Sequence, residues 1–290
     1  MTLVGCFVTP HPPIMVPEVG GPDLAGVDAT VQSMRELRTK VAGLDPDTVV
    51  LLSPHAPLAV RKMGVSFAST YEGSLAYFRA PNVTLSAAGD ETVAEAIMER
   101  AAAKNVPTTI TSSYGDSVEL DHGSMVPLVY LMGGLEQPCN LVVLSFSQLS
   151  CEEHVRFGEA VGEALVESTS RIVYVASSDL SHRLIPGAPA GYDPRGAEFD
   201  KQVVDTFAAG DWQGLLSIRQ DLTAAAGECG YRSLAVLSGV VTAARAAGMQ
   251  VRNRVLSYEG PFGVGYMVGE VEMAEASQVD QAERAQGAVR

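Results

Sequence analysis

The chain has 290 residues, 47% hydrophobic and 19% charged, enough to bury the core of one large domain or two small ones. A formal net charge of −14 at pH 7 argues against a polyphosphate-binding face, so no nucleic-acid partner is expected. No apolar stretch reaches about 18 residues, no basic leader precedes an apolar core, and Cys6, Cys139, Cys151 and Cys229 form no close-spaced pair, so a reduced cytoplasmic protein without a membrane span is expected.

In chain order, residues 2–9 are an apolar, β-rich run that stops at His11 in "LVGCFVTPHPPI". Pro12 has no backbone donor and biases His11 toward an extended conformation. Residues 29–43 space Val31, Met34, Leu37 and Val41 at intervals of three and four, which predicts a helix. The next run, 48–53, ends at Pro54 and His55 in "TVVLLSPHAP", a setting that matches that of His11. A further strand is predicted at 63–68, followed by a helix over 90–104 with an acidic first turn.

In "SVELDHGSMVPLVYL", His122 lies between Asp121 and Gly123 at the entry to an apolar, helical run. A strand at 140–146 leads to a helix over 151–167 that carries His154, read as a solvated histidine on a charged face. The strand at 171–177 runs into a polar turn with Asp179 and His182. A helix over 231–247 precedes two runs, 251–258 and 264–271, that form a hairpin turning at "EGPFG".

Strands alternating with helices predict an α/β fold, and strands apolar on both faces predict helices on both sides of the sheet. The expectation is a single domain over residues 1–272, with a central, mostly parallel mixed sheet flanked by helices. Residues 273–290 are a polar C-terminal tail.

Ligands of open α/β sheets collect outside the carboxyl ends of the strands. His11 and His55 both follow strand ends, so they share that edge, and stiff mounting suits metal ligation. Singly, either would be an ordinary loop histidine; the matched pair is what points to a site. A third, carboxylate ligand would give the two-histidine face of non-haem Fe(II) chemistry. Glu228, Glu259 and Glu18 are all candidates, and each would otherwise be surface charge. His122 or His182 can move a proton near neutral pH.

Taken together, "HPP", "SPHAP", "LDHGSMVPL", "SSDLSH" and "CGYRSLAVL" resemble, in this order, the class III extradiol dioxygenases. The likeness is to the catalytic B subunit of protocatechuate 4,5-dioxygenase and its relatives, including the Memo-like branch, and covers roughly residues 5–270. It implies Fe(II) held by His11, His55 and Glu228, a catechol or 2-aminophenol substrate, and O2. It also implies His182 as the acid/base and His122 near the substrate; Asp179, three residues before His182 in the same turn, is expected from that spacing to orient it. The chain departs from a clean pattern at the third ligand. Ring-cleaving members carry a Glu there and the Memo-like branch a Cys followed by Gly; this chain has Glu228 and then Cys229.

Three activities compete: an extradiol dioxygenase, a Memo-like protein that binds metal or partners without cleaving rings, and a zinc metallohydrolase. Fe(II) and oxygen chemistry favour the hard carboxylate, hence Glu228. No phosphate or dinucleotide loop stands in the right context, and a homo-oligomer is expected.

Overall fold

An apolar strand with no polar face needs cover on both sides, and the chain supplies it in two layers. In the computed structural model, which describes residues 2–112 and 117–275, the strands are β1 (Leu3–Thr9), β2 (Thr48–Ser53), β3 (Met63–Val65), β4 (Thr70–Leu75), β5 (Ala80–Ala88), β6 (Thr108–Ile110), β7 (Ser117–Glu119), β8 (Asn140–Ser145), β9 (Ile172–Ser177), β10 (Met249–Glu259) and β11 (Tyr266–Glu275). The helices are α1 (Pro17–Gly20), α2 (Asp28–Leu44), α3 (Glu91–Ala103), α4 (His122–Leu131), α5 (Cys151–Glu167), α6 (Arg195–Ala209), α7 (Trp212–Leu216), α8 (Gln220–Ala226) and α9 (Tyr231–Ala246).

Eight strands form one sheet in the order β10, β11, β1, β9, β2, β8, β3, β6. The middle four, β1, β9, β2 and β8, are mutually parallel. The β10–β11 hairpin joins antiparallel to β1 on one side, and β3 joins antiparallel to β8 on the other. The expected single α/β domain with a mostly parallel, mixed sheet is what forms.

Alternation along the central strands divides the core. Leu3, Cys6, Val8, Val50, Leu52, Ile172 and Tyr174 pack on one face. Val4, Phe7, Val49, Leu51, Val173 and Val175 pack on the other. The first face is covered by α3 and α5–α9, through side chains such as Ile97, Phe157, Phe199 and Leu234. The second is covered by α2, α4 and a small sheet ordered β5, β4, β7, through Met34, Leu37, Met125 and Tyr71.

Within the first layer α5 and α9 cross at glycines. A Cβ on Gly158 would lie 2.0 Å from the Val236 carbonyl oxygen, and one on Gly239 would lie 2.1 Å from that of Val155. Both obstacles are backbone, so neither can swing aside. This crossing sets the axial position of α9 and of the turn before it.

The structure departs from the sequence reading in several places. The small sheet was not foreseen: β5 reads exposed or half-exposed at most positions, and its apolar face is limited to Val83, Leu85 and Ala87. Helices α6–α8 fill residues 195–226, where charged side chains obscure the apolar spacing of Phe199, Val203 and Phe207. The third run is extended only at Met63–Val65. Strand β11 continues through Glu275, three residues past the expected end of the domain, while residues 276–290 of the expected tail lie outside the described residues. Among the described residues, no helix is long and apolar enough to cross a membrane.

His154 corrects the reading of a solvated side chain, for it is fully buried. Its Nδ1 lies 2.8 Å from the Ser150 carbonyl, an acceptor, so Nδ1 carries the proton. Its Nε2 then accepts from the Ser147 N–H at 3.3 Å, tying the β8–α5 connection together.

Two outcomes follow. Gly239→Ala should destabilise the protein by about 1–3 kcal/mol or more, read from urea unfolding, because the added methyl meets backbone. Burial also lowers the His154 pKa from its ordinary 6.5. As pH falls below 6.5 the unfolded imidazole takes a proton that the folded one resists, so this contribution to stability is lost toward acid. His154→Gln should therefore flatten the decline in unfolding midpoint between about pH 7 and pH 5. An acid slope as steep as the wild type's would refute that role.

Candidate metal centre

Register brings the site together. Thr9 lies opposite Ser177, and Leu52 opposite Ala176, so β1, β9 and β2 end at one edge. The chain leaving β1 carries His11, that leaving β2 carries His55, and that leaving β9 carries Asp179 and His182. His122 is the first residue of α4, and Cys229 lies in the turn before α9.

Local bonds fix these mounts. The Asp121 carboxylate caps α4, accepting the Ser124 N–H at 3.0 Å. It also accepts the Ser53 hydroxyl at 2.7 Å, and that hydroxyl accepts the His55 N–H at 3.2 Å. One carboxylate thereby ties the His55 loop to the helix that presents His122.

The imidazoles converge. His11 Nε2 lies 3.1 Å from His55 Nε2, and the donor atoms of His11, His55 and His122 all lie within 4.8 Å of one another. The His55 and His122 rings stack with centroids 4.2 Å apart, and Phe78 meets the edge of His122. The Cys229 sulfur is 3.5 Å from His11 Nε2 and 3.9 Å from His182 Nε2. Bonds of about 2.0–2.1 Å to nitrogen and 2.3 Å to sulfur put neighbouring donors on one ion roughly 3–3.6 Å apart. Both the imidazole pair and the imidazole–thiol pair meet that spacing.

Hydrogen bonds also choose the tautomers. The Ser177 hydroxyl donates its single proton to the Gly123 carbonyl at 2.6 Å. It must therefore accept from His11 Nδ1, 2.9 Å away, which leaves the lone pair of Nε2 facing the cluster. The Gly227 carbonyl accepts from His182 Nδ1 at 2.8 Å and leaves Nε2 of that ring bare in the same way. Such partners orient ligating histidines and raise their basicity. The donor set fits a metal ion.

Electrostatics agree. Burial lowers the pKa of His11, His55, His122 and His182, with neighbouring imidazoles adding to the effect at His11 and His55. Neutral rings are what an ion needs, since ligands must shed protons before binding. Burial raises the Cys229 thiol, and the nearby Asp179 and Glu228 carboxylates raise it further. Burial pushes the Asp179 carboxyl up to about 7, against the lowering effect of the His11 N–H. A surface cleft of about 520 Å³ lies elsewhere, between β5 and the approach to β8, but no charged residue lines it.

The sequence-predicted residues divide. His11, His55, His122, His182 and Asp179 gather at this edge. Asp179, however, bonds His11 rather than His182: its Oδ1 accepts the His11 N–H at 2.8 Å and its Oδ2 lies 3.6 Å from His11 Nε2. Glu228 is not brought to the histidines. Its Oε2 accepts the Tyr231 N–H at 2.5 Å, at the start of α9, and Cys229 faces the cluster instead. Both residues lie in the turn between α8 and α9, where the Glu228 carboxylate is turned to the helix start and the Cys229 sulfur to the histidines. Glu259 accepts the Thr30 N–H at 2.7 Å at the start of α2, and Glu18 is exposed. The reading missed Ser177, whose role depends on a contact 54 residues away. Asp121 was legible only as a residue of the helix entry.

A family described as the catalytic LigB subunit of aromatic ring-opening dioxygenase matches residues 5–269. Protein CA_C1420 of Clostridium acetobutylicum is 36% identical over 277 residues, which cover 94% of this chain and 58% of that protein. A Klebsiella pneumoniae 2,3-dihydroxyphenylpropionate/2,3-dihydroxicinnamic acid 1,2-dioxygenase is 27% identical over 173 residues, 56% of this chain and 52% of that enzyme. The chain thus spans little more than half the length of either relative. The crystal structure of an uncharacterized Escherichia coli K12 protein, JW3007, superposes with a TM-score of 0.64 at 18% identity, covering 93% of this chain and 99% of the other, which supports the fold. With the family matched over nearly its whole length, the chain belongs to the LigB family.

Proposed function

We propose that the protein is a metal-dependent, ring-opening dioxygenase that uses Fe(II) and O2 on a small aromatic with two adjacent hydroxyls, or a hydroxyl beside an amine. The observation that carries this reading is the convergence of neutral imidazoles, two with assigned bare Nε2 atoms, at an accessible strand edge. Membership of a ring-opening family and the likeness to a named dioxygenase support the class of reaction.

His11 and His55 would hold the ion, with His122 on one side and Cys229 on the other. When bound, Fe(II) supplies a Lewis acid that chelates the diol and a centre for O2. The protein's own contribution is proton handling and orientation. His182 Nε2 takes a hydroxyl proton from the substrate, while its Nδ1–H stays on the Gly227 carbonyl and keeps the ring aimed. The buried Asp179 holds the His11 backbone and the Cys229 side of the site. His122, packed on Phe78 and His55, forms a wall against which an aromatic ring can lie.

A second reading rests on one observation: at the turn before α9 it is the Cys229 thiol, and not the Glu228 carboxylate, that faces the histidines. Soft sulfur favours Cu(I) or Zn(II), which supports a Memo-like metal or redox protein that retains the fold without ring cleavage. The unpaired state of all four thiols supports a reducing, cytoplasmic setting for either reading.

Anaerobic Fe(II) loading followed by air and a panel of catechols and aminophenols should yield a yellow, ring-opened product. No product from any of them, with stoichiometric Cu(I) or Zn(II) that depends on Cys229, would establish the second reading instead. His11→Ala or His55→Ala should abolish stoichiometric metal with the fold intact by circular dichroism. His182→Ala should retain metal but slow turnover by about 100- to 10,000-fold. Ser177→Ala should weaken metal binding by about 10- to 100-fold, because His11 loses the acceptor that sets its tautomer. Wild-type metal affinity in that variant would remove the argument from the hydroxyl.

A further inference from the structure

We infer that Glu228 is a positioning residue: by capping α9 it closes a short ring around Cys229 and holds the Cys229 thiol against the metal-binding histidines. This rests on the reading that Cys229 meets the metal.

A helix leaves its first N–H groups without intrahelical acceptors, and a side chain normally supplies one. The residue at the cap of α9 is Gly230, which has no side chain to offer. Glu228, two residues earlier, does the work instead, with Oε2 accepting the Tyr231 N–H at 2.5 Å. A carboxylate there also meets the positive end of a 16-residue helix.

The consequence falls on the residue in between. The ring that runs from the Glu228 carboxylate to the Tyr231 N–H contains Cys229, so its backbone cannot turn without breaking the cap. Both flanks are pinned as well. The Ala226 carbonyl accepts the His182 N–H at 3.1 Å and the Ser181 hydroxyl at 3.0 Å, and the Gly227 carbonyl accepts from the His182 ring. On the other side, a Cβ at Gly230 would lie 2.0 Å from Ser178 Oγ and 2.6 Å from the Asp179 carbonyl oxygen, so the turn lies flush on the strand end. With flanks and middle fixed, the Cys229 backbone holds its Cβ where the sulfur reaches His11 Nε2 and His182 Nε2.

Glu228 therefore acts through Cys229 and does not bind the ion. Its Oε2 is occupied at the helix start, and it is the Cys229 sulfur that reaches the histidines. The amide of a glutamine can still accept an N–H, whereas alanine and methionine offer no acceptor.

Cobalt(II)-loaded protein tests this, since a cysteine thiolate on cobalt gives a near-ultraviolet charge-transfer band. Wild type should show the band, and Cys229→Ser should abolish it. Glu228→Gln should keep most of it. Glu228→Ala and Glu228→Met should lose at least about half of the band and bind cobalt about 10- to 100-fold more weakly. In the metal-free protein they should alkylate faster at Cys229, located by mass spectrometry. Circular dichroism confirms folding, and Glu228→Met, which keeps the length of the side chain without an acceptor, decides the matter if the alanine variant does not fold. A full band and unchanged alkylation in the folded variants overturn the positioning role and leave thiolate ligation standing. A wild-type spectrum unaltered by Cys229→Ser but lost in Glu228→Gln makes the carboxylate the ligand and overturns both. Absence of the band from wild type overturns the thiolate reading and this inference with it.

Discussion

The site depends on three adjacent parallel strands stopping at the same level. Because β1, β9 and β2 are in register to within a residue at their carboxyl ends, neighbouring chains that leave them start about 5 Å apart and the outer two about 10 Å apart. None needs a long loop to bring an imidazole to a common point. An antiparallel partner in the middle of this trio would send one chain to the opposite edge. The mixed pairing is confined to the flanks, where β11 and β3 reverse direction without disturbing the three central strands.

Much of this was legible because it is periodic or punctuated. Buried strands announce themselves as unbroken apolar runs, and prolines beside His11 and His55 mark where those runs stop. His122 was legible as a helix entry because an aspartate before an apolar run is a capping signal. Other features have no local signature. The small sheet has a short apolar face, Tyr71 and Leu75 on β4 with Val83, Leu85 and Ala87 on β5, broken by Gly73 and set among exposed polar residues. His154 sits in a charged sequence yet faces inward, because a helix turns one residue in three or four toward the core whatever lies beside it. The choice between Glu228 and Cys229 turns on where α9 begins, and a one-residue helix boundary is the least readable property of a sequence.

Behind the histidines stands a second tier of buried acids. Asp200, on α6, accepts the Ser181 N–H at 2.8 Å and the Tyr258 hydroxyl at 2.7 Å, and burial pushes its carboxyl up to about 7, as it does that of Asp179. The two carboxyls brace opposite ends of the Asp179–His182 turn, one from the sheet and one from the helix layer. The arrangement ties the orientation of His182 to the packing of α6 against the β10–β11 hairpin. Farther out, Glu270 is fully buried between Lys40 and Arg254, so α2 and the hairpin are joined by charge rather than by apolar contact alone.

The Ser177 hydroxyl has one proton and two neighbours, and that shortage couples the tautomer of His11 to the seating of α4. While α4 is seated, its Gly123 carbonyl takes the proton and His11 must turn a bare nitrogen toward the cluster. If α4 drew back, the hydroxyl could point at His11 instead, and the ring could change tautomer. Whatever holds α4 in place thus raises the affinity of His11 for a cation. By thermodynamic reciprocity, a cation on His11 must tighten the hold on α4 by the same factor.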